Sequence, residues 1–344
     1  MRLLVTGGAG FIGSHFIRSW FSRHPDDEIV NLDLLTYAGS RARLAEIEGE
    51  GRYTFIEGDI CSSRIVKQAM AGCDTVVHFA AESHVDRSIT DAAPFIRTNI
   101  EGTQVLLQEA QVQRVERFIH TSSDEVYGPV LDGAVDERAP LSPRSPYAAS
   151  KAAGDLLAQA FHHTYRLPVI VVRPTNIYGP GQLPEKLIPL CITNGMDRLP
   201  IPVYGDGQQR RAWLFAMDLC RALEVIIEQG AFGEIYNVAG GSEQTNLETV
   251  KGILASLGCP ANLIEFVTDR PGHDRRYAMN DTKLRSLGWR AQVPFNQGLQ
   301  ETIAWYRGRT DWWRPIVQKL REDPYHWLNR TARSSPPQTS GAVL

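Results

Sequence analysis

The first dozen residues constrain this chain most: an apolar run at 2–6 leads directly into Gly7-Gly8-Ala9-Gly10-Phe11-Ile12-Gly13. Gly7, Gly10 and Gly13 give a G-x-x-G-x-x-G spacing between a strand-like run and an amphipathic segment at 14–22. Glycines there permit a tight turn, backbone approach to a diphosphate and close helix–sheet packing, with the helix N-terminus facing the phosphates. Alone, such a turn could merely join a strand to a helix. A second apolar run at 28–32 ends in Asp33, twenty residues after Gly13, where a carboxylate accepts from an adenosine ribose 2′-hydroxyl. The acid favours NAD over NADP, although Arg41 and Arg43 weaken that preference. Together the two signals predict a dinucleotide site.

Further apolar runs at 53–58, 74–78, 117–121 and 168–173 alternate with helical patterns at 61–71, 93–110 and 147–165. This pitch predicts an α/β fold with a doubly wound parallel sheet. Ligands in such sheets bind beyond the strand C-termini, so the residues after each run are candidates. Asp59-Ile60 could contact an adenine ring, though Asp59 could equally cap the helix at 61–71. Ala80 and Ala81 are small enough for close cofactor approach. His78 reads as a core residue and His84 as facing the site. Asn99 is mildly unfavourable inside a helix, which hints at a polar duty.

After Gly179 the pattern changes, and residues 180–202 are rich in Pro and Gly. A strand and turn at 203–207 precede Arg210-Arg211, which suit diphosphate oxygens or form a solvated pair. Helices are expected at 213–229, 247–257 and 298–307, with a strand at 234–238 able to rejoin the main sheet. Residues 269–277 form a polar loop too charged for a core. The expected organisation is a dinucleotide-binding domain at 1–175, joined again by 213–240, and a smaller mixed α/β substrate domain at 176–330. Residues 331–344 have a disordered composition.

The richest chemistry lies between His120 and Lys151. Tyr147 and Lys151 share one helix face, one turn apart, and a cation there would favour the phenolate. Ser123, Asp124 and Glu125 put a hydroxyl beside two carboxyl groups. Such a pair divides acid and base roles when environment separates the two pKa values. With 36 basic and 39 acidic residues, a net charge of −3 gives no reason to expect nucleic acid or an anionic membrane. No apolar run reaches the ~18 residues of a membrane span. The chain opens on a strand-like run, which leaves no room for a signal peptide. Five cysteines without C-x-x-C spacing indicate neither a zinc site nor a disulfide framework. No metal is expected, and reduced thiols fit a cytoplasmic protein.

Several stretches are more specific: HFAAESHVDRSI at 78–89, SDEVYG at 123–128, PEKLIP at 184–189 and DRPGHDRRYA at 269–278. In these the chain resembles the extended short-chain dehydrogenase/reductases and, among them, the dTDP-glucose 4,6-dehydratases, from Leu3 to about Trp313. The resemblance implies a Rossmann sheet and an NAD-dependent, redox-neutral loss of water from a nucleotide sugar. Tyr147, assisted by Lys151, would take the 4-OH proton, Glu125 the C5 proton, and Asp124 would protonate the departing 6-hydroxyl, which requires it to be buried. By the same resemblance Gly7, Gly10, Phe11, Ile12, Gly13, Asp33, Leu34, Leu35, Thr36, Asp59, Ile60, Ala80, Ala81, Ser83, Thr98, Tyr147 and Lys151 would contact NAD. His84, Ser123, Asn176, Lys186, Leu187, Pro202, Tyr204, Arg211, Asp269, Arg270 and His273 would contact the nucleotide sugar, Tyr204 stacking on the pyrimidine and Arg211 holding the diphosphate. A homodimer is implied, formed through the helices at 98–110 and 147–165. The chain departs from the family at Ser123 (usually Thr), Ile177 (Asn), Ala212 (Asp) and Gly241-Ser242 (His-Asn). A UDP-sugar substrate, a 4-epimerase and a non-catalytic NAD-binding regulator stay open as alternatives.

Overall fold

The computed structural model describes residues 1–322, so the tail expected to be disordered at 331–344 lies outside the described residues. Its centre is a seven-stranded, wholly parallel sheet. The strands are β1 (Arg2–Thr6), β2 (Glu28–Asp33), β3 (Tyr53–Glu57), β4 (Thr75–His78), β5 (Arg117–Thr121), β6 (Val169–Pro174) and, after a long excursion, β10 (Ile235–Val238). Their order is β10-β6-β5-β4-β1-β2-β3, which puts the reversal of connection between β1 and β4, where such sheets take ligands. The strands read as apolar runs because both faces are covered. On one face α1 (Phe11–Arg23) and α8 (Ala216–Gln229) pack over Leu3, Val5, Val77 and Ile119; on the other α2 (Ser63–Met70), α5 (Thr103–Gln113) and α6 (Pro146–Tyr165) pack over Leu4, Val76, Phe118 and Val169.

The helix expected at 93–110 is interrupted. After α3 (Val85–Thr90) and α4 (Ala93–Ile96) comes a π-helical segment, Arg97–Gly102, that leads into α5. Asn99 sits in it, and its amide accepts from Glu82 N at 2.9 Å while donating to Glu82 O at 3.0 Å and Ser150 Oγ at 2.8 Å. The wider turn lets one side chain pin the loop after β4 to α6.

Beyond Pro174 the chain leaves the main sheet. β7 (Asn176–Tyr178), α7 (Leu187–Met196), β8 (Ile201–Tyr204) and β9 (Arg210–Phe215) precede α8; β11 (Ser242–Thr245), α9 (Asn246–Leu257), β12 (Ile264–Val267), α10 (Thr282–Ser286), α11 (Phe295–Gly308) and α12 (Thr310–Glu322) follow β10. They form a β11-β9-β7 sheet and a β12-β8 pair around a separate apolar cluster that includes Ile188, Trp213, Ile253, Tyr306 and Trp313. Trp213 was expected to open a helix; it lies inside β9, paired with Asn176 and Ser242, and α8 starts three residues later. α9 carries a full capping box between Thr245 and Glu248, which fixes its start. Among the described residues no helix is long and apolar enough to cross a membrane, and all five cysteines are unpaired.

Candidate active site

The glycine turn after β1 opens a cleft of about 460 Å³ between the main sheet and the smaller half, within the size of small-ligand sites. Gly7 has φ +71°, and a Cβ on it would lie 2.6 Å from Ala80 N; one on Gly13 would lie 2.3 Å from the Gly7 carbonyl oxygen. Bare backbone therefore faces the cleft, with Gly10 at the N-terminus of α1. Asp33 braces this turn, Oδ2 accepting from Ala9 N at 2.9 Å and Oδ1 from Leu35 N at 2.8 Å. Burial pushes its carboxyl up against these two donors, and each oxygen keeps a lone pair for a further donor.

Gly7, Gly10, Phe11, Ile12, Gly13, Asp33, Leu34, Thr36, Asp59, Ile60, Ala80, Ala81, Ser83 and Thr98 all line this cleft. Leu35 does not: its backbone turns left-handed at φ +53° and its N–H is spent on Asp33. Asp59 is not a helix cap. Ser62 precedes α2, while Asp59 accepts from Cys61 N at 2.8 Å and pairs with Arg97 at 2.7 Å. His78 is a core residue, held between Thr6 Oγ1 at 2.8 Å and Thr103 Oγ1 at 3.0 Å.

The reactive groups converge at the end of β5. Asp124 and Glu125 lie on a single 3₁₀ turn, Asp124–Tyr127, whose start Ser123 caps by accepting from Glu125 N at 3.2 Å. Asp124 is 3% exposed; burial, then the neighbouring Glu125, pushes its carboxyl up to about 7. Ser123 Oγ donates to Asp124 Oδ1 at 3.3 Å and shares a hydrogen bond with Tyr147. Tyr147 and Lys151 lie one turn apart on α6, whose N-terminus Pro146 and the Ser145 cap set. Lys151 Nζ donates to Thr121 O at 2.6 Å, and burial lowers its pKa to about 8. The expected depression of Tyr147 is not found: burial and then Glu125 push the phenol above its ordinary value, against the Ser123 hydrogen bond.

Beneath these groups runs a buried brace that no sequence motif announces. Arg173 on β6 pairs with Asp155 on α6 at 2.8 Å and donates to Tyr127 Oη at 2.6 Å, and Tyr127 donates to Asn237 Oδ1 on β10 at 2.8 Å. The i+4 step from Lys151 to Asp155 was the available signal. Removing one partner of so buried a pair leaves an uncompensated charge.

The opposite wall is made by long-range pairs. His84, Ser123, Asn176, Lys186, Leu187, Pro202, Tyr204, Arg211, Arg270 and His273 all line it. Tyr204 donates to Asp86 Oδ2 at 2.8 Å and Arg270 pairs with Asp86 Oδ1 at 2.8 Å; against the penalty of burial, Arg270 holds the Asp86 carboxyl below its usual range. Lys186 reaches Ser83 O at 2.7 Å, and Glu185 receives Arg87 at 3.1 Å and Tyr37 at 3.0 Å. Burial lowers His84 and His273 to about 4, so both imidazoles are neutral near pH 7. Asp269 is not on the wall; it holds His273 Nδ1 at 2.6 Å. The two arginines diverge, Arg210 outward to Glu243 and Arg211 inward, donating to Asp274 O at 2.9 Å over the Tyr277 ring. Asp86, Glu185 and Tyr277, whose hydroxyl lies 3.4 Å from Glu125, were missed.

A family model for GDP-mannose 4,6 dehydratase matches residues 4–302. A dTDP-glucose 4,6-dehydratase of Streptomyces niveus is 51% identical over 321 residues, 92% of this chain and 96% of the relative. DesIV of Streptomyces venezuelae, a dTDP-glucose 4,6-dehydratase solved with NAD bound, is 50% identical, with a TM-score of 0.90 over 92% of this chain and 100% of its own. The chain belongs to the dTDP-glucose 4,6-dehydratase family. A UDP-glucuronic acid 4-epimerase of Bacillus cereus, at TM-score 0.85 over 90% of this chain and 99% of its own, is only 27% identical. Against the dTDP-glucose 4,6-dehydratase pattern, Ile177 is a buried residue of the cleft wall, and Ala212 contributes its backbone carbonyl to Thr175 Oγ1 at 3.0 Å.

Proposed function

We propose that this chain dehydrates dTDP-glucose to the 4-keto-6-deoxy sugar nucleotide, with NAD as a resident cofactor. The observation that carries this reading is the buried Asp124 beside Glu125, its carboxyl pushed up to about 7 and joined to Tyr147 through the Ser123 hydroxyl. An alcohol oxidation alone needs the phenol and lysine; loss of water needs an acid and a base as well. NAD fits the bare glycine turn, where any side chain on Gly7 would collide with Ala80, and the Asp33 carboxylate at its ribose end. When bound, it supplies the reversible redox chemistry that oxidises C4 and later reduces C6.

The chain's own residues do the rest. Tyr147 must be ionised to accept the 4-OH proton, against the burial and the Glu125 charge that raise its phenol; Lys151, one turn along α6, is fixed on the Thr121 carbonyl. Glu125 removes the C5 proton made acidic by the new ketone, and Asp124 gives its proton to the departing 6-hydroxyl, which leaves as water. Glu125 then returns its proton to C5. One proton now sits on Tyr147 and one is missing from Asp124, with the Ser123 hydroxyl between them to reset the site. Arg211 and Lys186 would hold the diphosphate, and Tyr204, with His273 edge-on at 6.0 Å, would cover the base.

The homodimer reading is supported by large apolar side chains left exposed on adjacent helices: Ile96 on α4, Val112 on α5 and Leu156 on α6. The five unpaired cysteines support a cytoplasmic location. The test is incubation of the purified protein with dTDP-glucose and, separately, UDP-glucose, without added nucleotide, followed by mass spectrometry. Loss of one water with no net reduced nicotinamide is expected from dTDP-glucose. An unchanged mass with a new epimer would replace this reading with the 4-epimerase.

A further inference from the structure

Thr175 lies at the one-residue step from β6 to β7 and is 5% exposed. Its hydroxyl is 3.1 Å from Asp124 Oδ2 and 3.0 Å from the carbonyl oxygen of Ala212. A threonine hydroxyl has one hydrogen and two lone pairs, and both neighbours offer lone pairs. The Ala212 oxygen can only accept. Asp124 Oδ2 can accept or, in the acid form, donate. Both contacts are hydrogen bonds at once only if the Thr175 hydrogen goes to Ala212 and Asp124 carries its proton on Oδ2.

The other carboxyl oxygen fits the same assignment. Ser123 Oγ receives Glu125 N–H, so its own hydrogen is available for Asp124 Oδ1. One oxygen of Asp124 thus faces a donor and the other an acceptor, the pattern of a neutral carboxylic acid. An ionised carboxylate would meet a lone pair at Thr175. The strand pairing sets this up: β7 lies against β9 in the register Asn176–Trp213, which brings the Ala212 carbonyl to Thr175.

We propose that Thr175 is a positioning residue that stores the catalytic proton on Asp124 Oδ2, accepting from the acid while its own hydrogen is committed to the Ala212 carbonyl. The inference rests on the proposed role of Asp124 as general acid and assigns what keeps that acid charged with its proton. Delivery to a substrate hydroxyl would turn the Oδ2–H bond away from Thr175.

The alternative hydrogen position predicts the opposite sign. If Thr175 donated to Asp124, it would favour the carboxylate, and deleting the hydroxyl would raise the carboxyl pKa. If it accepts, deletion lowers it. The experiment is an infrared titration of the carboxylic acid C=O band of Asp124 in the substrate-free protein, identified by its loss in Asp124→Asn. In Thr175→Val, which keeps the shape of the side chain, the band is expected to titrate roughly one pH unit lower, the equivalent of one hydrogen bond. Thr175→Ser restores the hydroxyl and should titrate with the parent. An upward shift or no shift in Thr175→Val, or equal shifts in both variants, overturns the proposal. The readout needs no turnover, so it stands apart from failure of the proposed activity, which the mass of the reaction product decides.

Discussion

The two walls of the cleft are built on different principles. The cofactor wall is backbone and small side chains delivered in chain order by successive strand ends, from Gly7 through Asp33 and Asp59 to Ala80. The substrate wall is charged side chains joined across the sequence, Asp86 to Arg270 and Tyr204, Glu185 to Arg87 and Tyr37. The first is specified by how little space a residue occupies, the second by which charge it meets. Substitutions should therefore damage them in different currencies, volume against charge.

The largest effect is expected on the volume side. Gly13→Val places atoms within 2.3 Å of the Gly7 carbonyl, so NAD binding should vanish in a calorimetric titration and the thermal midpoint should fall. A variant that still binds NAD would remove the basis of the contrast. Next, where the walls meet, Glu125→Gln should cut dehydration by roughly 10²–10⁴-fold, the usual worth of a general base. Oxidation should survive, visible as one equivalent of reduced nicotinamide in a single turnover; equal loss of both steps would take the base role from Glu125.

On the charge side, Arg270→Ala strips Asp86 of its partner and should raise KM for the nucleotide sugar by roughly 10–100-fold, as expected when a buried charged group loses its hydrogen bonds. NAD affinity should hold, and an equal loss of both would show that the walls are coupled. pH gives a smaller test. As the proposed acid Asp124 has to carry its proton, and burial with the neighbouring Glu125 pushes its carboxyl up to about 7. Dehydration followed by quenched flow should fall as pH rises through that value, roughly tenfold per unit beyond. Asp124→Asn should remove the residual activity and with it this limb. The smallest effect belongs to Tyr37→Phe, which removes the hydroxyl that donates to Glu185 and should raise KM for the nucleotide sugar about threefold at most, measured in the same assay as Arg270→Ala.

The same division explains what could be read before any coordinates. Gly7, Gly10, Gly13 and Asp33 announce themselves because spacing along the chain is what the turn geometry requires. Asp124, Glu125, Tyr147 and Lys151 were legible for a similar reason, since each pair is held by a single element. Trp213 was misread as helical because the last three residues of β9, from Trp213 to Phe215, are all buried and break its alternation, and helix α8 begins just behind them. Asp86 and Glu185 stayed hidden because their partners, at distances of up to 184 residues in sequence, leave no local pattern. Thr175 was missed because its importance comes from Asp124 and Ala212, 51 residues before it and 37 after.

The late return of β10 to the main sheet has a consequence for biosynthesis. Residues 175–234 separate β6 from the strand that covers its edge, and at about 5–20 residues per second the ribosome needs on the order of 3–12 s to make them. Throughout that interval the nascent chain shows an apolar strand with one whole row of backbone donors and acceptors open to neighbouring polypeptides. Of the smaller half only β7, α7, β8 and β9 are made inside that window, so the length of this insertion, and not the elements after β10, sets how long the larger half stays vulnerable to aggregation and how much it needs a chaperone.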